Sequence, residues 1–72
     1  MNDREKAEII WEALRDLHSN ETFERAIGRY VRNHKGDYEE YIKLISEIRK
    51  LSQKKKVTLL KAAERLAKSY ES

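Results

Sequence analysis

Two stretches of this chain, thirty-six residues apart, carry the same amphipathic pattern. Residues 22–32 and 58–68 each begin with Thr and hold basic residues at i, i+4 and i+7. These are Arg25, Arg29 and Arg32 in the first, and Lys61, Arg65 and Lys68 in the second. At roughly 100° per residue, each triplet falls on one side of an α-helix and the apolar residues on the other. The spacing predicts two helices, each with a core face and a cationic face.

The rest of the chain points the same way. Proline is absent, glycine occurs only at Gly28 and Gly36, and good helix formers dominate. β-Branched residues never alternate with polar ones over a useful length, so strands are not expected. The reading is all-α: a small bundle of three to four helices in a single domain over residues 1–72. Two packed αα-hairpins are the natural arrangement. With no cysteine, neither a disulfide nor the usual zinc spacings can brace the fold. No run approaches the roughly 18 apolar residues of a membrane span. The opening Met-Asn-Asp-Arg-Glu-Lys lacks the apolar segment of a signal peptide. A soluble cytoplasmic protein without cofactor or membrane partner is expected.

A first helix is predicted from about Asp3 to His18, with Ala7, Ile10, Trp11, Leu14 and Leu17 as its main stripe. Ser19 and Asn20 end it, and either could cap the next. A second helix is predicted over about Glu21 to His34, burying Phe23, Ala26, Ile27, Tyr30 and Val31, with Gly36 as a left-handed cap. Asp37 and Glu40 form a capping box for a third helix reaching about Ser52 or Gln53. Thr58 caps a fourth to about Tyr70, although no Gly or Pro forbids one long bent helix through 38–70. Helices one and three have wide apolar arcs and resemble each other at an offset of 34, which suggests that they lie centrally, with the other two outside.

Lys35-Gly36-Asp37-Tyr38-Glu39-Glu40 resembles the turn of a tetratricopeptide-type helical hairpin, with Gly28 near that family's earlier small residue. The resemblance spans about residues 23–51 and implies two antiparallel helices. The sequence departs from the pattern in two places. The Gly28–Gly36 interval is one residue longer than usual, and Tyr41 stands where a small residue is normal.

No catalytic constellation is present, and the chain reads as non-enzymatic. His18 and His34 sit at predicted helix ends, where a cation suits the dipole. Glu8, Glu12 and Asp16 follow i, i+4, i+8 and read as an exposed acidic face rather than a metal cluster. Trp11, Phe23, Tyr30, Tyr38 and Tyr41 all fall on apolar faces, leaving Tyr70 as the free aromatic. Base stacking is therefore not expected.

The cations carry the functional expectation. Residues 1–42 hold seven basic and ten acidic residues; residues 43–72 hold nine basic and three acidic. Three basic groups stand out: Arg25, Arg29, Arg32 and Lys35; Arg49, Lys50, Lys54, Lys55 and Lys56; and Lys61, Arg65 and Lys68. No acid lies between Glu47 and Glu64 to neutralise the second. Spaced cations of this kind bind phosphate backbones, so DNA or RNA is the expected partner. Local pairing with Glu, as in Glu21–Arg25 and Glu64–Lys68, is the simpler alternative. The competing functional expectation is a protein-interaction module or homodimeric scaffold. In that case Ile9 and Ala13, beside the main stripe of helix one, supply a leftover apolar strip.

Overall fold

Asn2, Thr22, Asp37 and Thr58 each accept, through the side chain, the backbone N–H three residues further on, at 2.8–3.2 Å. Each thereby satisfies one of the orphan donors of a helix start. The computed structural model describes residues 1–17 and 20–72. Within them lie α1 (Asp3–Arg15), α2 (Phe23–Asn33), α3 (Tyr38–Lys55) and α4 (Leu59–Glu71). The two Thr residues that open the repeated pattern are both caps. The Asp37–Glu40 capping box is complete in both directions.

Several boundaries differ from the sequence reading. α1 stops at Arg15, before His18, and its C-cap is Asp16. The roles expected of His18 and Ser19 fall outside the described residues. α2 is capped by Thr22 rather than by Asn20. α3 and α4 are two helices, because Lys56 adopts a left-handed conformation (φ 56°) and turns the chain. The N–H of Val57 then bonds Ser52 O at 3.1 Å, and the Ser52 hydroxyl bonds Val57 O at 2.6 Å.

Gly36 corrects an expectation more sharply. The left-handed residue after α2 is Lys35 (φ 62°), not Gly36. Lys35 N–H reaches Arg32 O and Gly36 N–H reaches Val31 O, the paired bonds of a Schellman end. Gly36 serves the close approach instead. A Cβ there would lie 2.7 Å from Val31 Cγ1 and 2.8 Å from Met1 Cε.

The helices form a ring. α1 packs against α2, α2 against α3 and α3 against α4, while α4 closes on α1 in the most extensive contact of all. α1 and α3 barely meet, so the wide-faced helices are not a central pair. Alanine is the reason. Ala7 and Ala13 on α1, and Ala62, Ala63 and Ala67 on α4, are all buried. Small side chains let two helix backbones come close, and the narrow face of α4 packs through them. Ile9, Ile10, Ile27, Val31, Leu44 and Ile48 are the largest fully buried side chains of the core, at 2% exposure or less, and Phe23, Ala26 and Ile45 complete it. Each large side chain so buried contributes about 1.5–3 kcal/mol. Polar latches join the outer edges. Trp11 donates to Glu71, Tyr70 to Glu47, Tyr30 to Asp16 and Arg49 to Glu24.

Candidate functional site

The basic residues fall into three situations. Some are consumed by the fold. Arg29 grips both oxygens of Glu21 at 3.0 and 3.3 Å, bonds the Asp16 carbonyl at 3.2 Å, and lies 4.7 Å over the Tyr30 ring. Its hydrogen bond to Glu21 raises the guanidinium pKa further. This charge ties α2 to the segment after α1. The expected Glu21–Arg25 pair does not form, because α2 begins only at Phe23 and Glu21 is outside the helical register. Arg49 is engaged by Glu24 across the α2–α3 contact.

Others are loosely paired. Lys68 meets Glu64 at 3.4 Å as the i, i+4 spacing predicts. That pair is solvent-exposed and worth little, so Lys68 stays accessible.

The third group is open. Arg25, Arg32, Lys50, Lys54, Lys55, Lys56, Lys61 and Arg65 are exposed. No carboxylate among the described residues lies within ion-pairing distance of any of them. The turn at residues 56–58 is short, so it sets the end of α3 beside the start of α4. Lys54, Lys55 and Lys56 thereby join Lys61 at one end of the α3–α4 hairpin. The first turn of α4 carries no acidic residue. Lys54 and Lys55 also complement the α3 dipole from its last turn. That gives them a structural benefit worth only a few tenths of a kcal/mol to about 1 kcal/mol.

A groove of about 580 Å³ runs along α2 and the start of α3. Arg25, Arg29 and Arg32 line one side; Tyr38 and Tyr41 line the other. Tyr38 corrects the aromatic expectation, since it is 75% exposed as the first residue of α3. Tyr70, expected to be free, packs against the core and lies beneath Lys6 at 5.3 Å. α3 turns its Leu44–Ile45–Ile48 face inward, whereas Tyr38, at the very start of the helix, stands exposed at the edge of the groove.

Ile9 and Ala13 are fully buried. They are part of the core inside the ring of helices and supply no interface strip. The large apolar side chains that remain exposed among the described residues are Tyr38, Ile42 and Leu60. Glu8, Glu12 and Asp16 face different partners: Arg4 at 3.5 Å, His34 at 3.4 Å, and Arg15 with Tyr30. No helix among the described residues is long and apolar enough to cross a membrane. No protein-family model, curated protein or solved structure matches this chain.

Proposed function

We propose that this is a small, non-enzymatic nucleic-acid-binding protein that holds the phosphate backbone through its open cations. The observation that carries the reading is the end of the α3–α4 hairpin. There Lys54, Lys55, Lys56 and Lys61 stand exposed with no carboxylate partner among the described residues, and Lys50 lies just over a turn back along α3. Like charges gathered at one end of a hairpin repel one another, and the fold gains little by gathering them. A polyanion relieves that repulsion and releases its own counterions as it binds. Arg25, Arg32, Arg65 and Lys68 extend the cationic surface. Arg29 and Arg49 act through the fold, holding α2 in place. A homodimer or protein partner loses its main support with Ile9 and Ala13 in the core.

The test is binding of labelled DNA and RNA at several salt concentrations. The variant combines Lys54→Gln, Lys55→Gln and Lys56→Gln. Affinity should fall about equally for unrelated sequences. The slope of log affinity against log salt should become shallower by about one for each phosphate that is no longer held. A wild type that binds neither DNA nor RNA at low salt overturns the reading.

A further inference from the structure

We infer that the α2–α3 groove is a subsite for single-stranded nucleic acid, in which an unstacked base lies on Tyr38 and neighbouring phosphates meet Arg25 and Arg32. This rests on the nucleic-acid reading above and names the form of nucleic acid it favours.

Four observations carry it. First, Tyr38 is the most exposed large apolar side chain among the described residues, at 75%, and it borders a groove rather than open surface. Exposing a ring this fully costs the fold burial that α3 could have gained. Second, the ring is braced. Tyr41 stands behind it with centroids 6.0 Å apart and planes tilted by 42°. Tyr41 itself is partly buried, and that desolvation pushes its phenol pKa up. Third, Gly28 lines the groove, and its missing side chain lets the Tyr41 ring seat against α2 and so fixes the brace behind Tyr38. Any side chain there would meet the Tyr41 ring, whose Cε1 already lies 3.2 Å from a notional Cβ. Fourth, Arg25 and Arg32 are the groove's unpaired cations. They stand seven residues apart on one helix face, about 10.5 Å along the axis. That separation suits two different phosphates of one strand.

The groove's two acids do not cancel this. Glu21 is held by Arg29, and Asp37 is held as the α3 cap. Arginines therefore outnumber carboxylates among the lining residues, and Lys35 adds a further charge beside them. The groove volume falls within the roughly 300–1,000 Å³ of ligand-binding clefts. An acidic peptide would need the cations alone. A flat exposed ring beside them is what an unpaired base uses, and every base can use it. Duplex DNA hides its base faces in its own stack, so Tyr38 offers it nothing.

The experiment measures fluorescence anisotropy with a labelled single strand of about 12 nucleotides and with the matching duplex. Polyglutamate serves as competitor. Proteins are the wild type, Tyr38→Phe, Tyr38→Leu, Arg25→Gln with Arg32→Gln, and the triple lysine variant. Circular dichroism first checks that each is folded. Tyr38→Leu should weaken single-strand binding by at least about fivefold and leave duplex binding unchanged, while Tyr38→Phe should behave as wild type. The arginine pair should weaken single-strand binding and flatten its salt slope. If Tyr38→Leu binds the single strand as wild type does while the lysine variant is weakened, the groove is overturned and the backbone reading stands. Equal weakening on single strand and duplex also overturns it. Polyglutamate displacing the strand charge for charge, with Tyr38→Leu silent, assigns the groove to an acidic peptide instead. A wild type that binds no nucleic acid overturns both readings together.

Discussion

Gly28 on α2 and Tyr41 on α3 fit each other: Tyr41 Cε1 sits 3.2 Å from where a Cβ on Gly28 would be. A large residue on one helix is matched by the absence of a side chain on the next. Tyr41 occupies the place where a helical hairpin of this kind carries a small residue, and Gly28 gives up its side chain to admit it.

That relationship predicts a coupling. In a helix interior, Gly→Ala gains about 1 kcal/mol from propensity. At Gly28 the new methyl crowds the Tyr41 ring and offsets that gain, so Gly28→Ala alone should change stability by less than about 1 kcal/mol. In a Tyr41→Ala background the crowding is gone, and the same substitution should deliver the full gain. Urea unfolding of the four proteins in the cycle measures the difference. Additive effects would show that the ring does not press on α2.

Lys35 and Gly36 should respond in opposite directions. Lys35 holds a left-handed conformation that a side chain disfavours, so Lys35→Gly should stabilise by up to about 1 kcal/mol. Gly36 has no such conformation but no room either: Val31 Cγ1, Met1 Cε and Val31 O lie 2.7, 2.8 and 3.2 Å from its notional Cβ. Gly36→Ala should therefore destabilise, by about 1–3 kcal/mol. Melting temperatures of the two variants check this directly. A neutral Gly36→Ala would mean that Met1 and Val31 yield freely.

The sequence made the four helices and the caps of α3 and α4 legible, because capping chemistry is local: Asp37 and Thr58 act within three residues of themselves. The start of α2 it placed too early, because Asn20 is as good a cap by type as Thr22. It also revealed the core face of α2: Phe23, Ala26, Ile27 and Val31 are buried as their periodicity predicts, whereas Tyr30 is only partly so. What it hid was the partnership of faces. Ile9 and Ala13 looked surplus because alanine weighs little in an apolar stripe, yet Ala62, Ala63 and Ala67 make α4 the main cover of α1. The repeat likewise equates Arg29 with Arg65. Of the two, Arg29 meets a carboxylate and Arg65 does not. Glu21 stands before α2, whereas its counterpart before α4 in the repeat is Val57. Tyr38 escaped because helical period alone does not say where the neighbouring helix ends.

Ile9 supplies a sharp test of the core. An exposed Ile9 at a dimer contact would tolerate charge by dissociating. A fully buried Ile9 cannot, because an unpaired carboxylate in the core costs several kcal/mol or must take up a proton. Ile9→Glu should therefore unfold the chain at neutral pH rather than yield a folded monomer. Ile45→Ala, at 5% exposure, should cost about 2–5 kcal/mol and lower the melting temperature without abolishing folding. Circular dichroism with size-exclusion chromatography separates these outcomes. A helical, monomeric Ile9→Glu protein would place this residue at the surface.

Acid should loosen the α1–α2 junction through Asp16. Hydrogen bonds from Arg15 and from the Tyr30 hydroxyl hold its carboxyl at a pKa of about 2, below the ordinary 3.8. The folded chain thus keeps Asp16 ionised to a lower pH than the unfolded chain does. The stability this supplies is complete above about pH 4 and is lost as pH falls through about 2. Asp16→Asn should therefore lower stability near neutrality and flatten its decline between those two values. Glu40 is also held below the ordinary range, by the Met1 ammonium and the Asp37 N–H, so part of the decline should survive. Tyr30→Phe removes one of the two hydrogen bonds and should fall between wild type and Asp16→Asn. Thermal melts from about pH 5 to about pH 2 read all three, and parallel curves for wild type and Asp16→Asn would show that this carboxylate does not govern the acid limb.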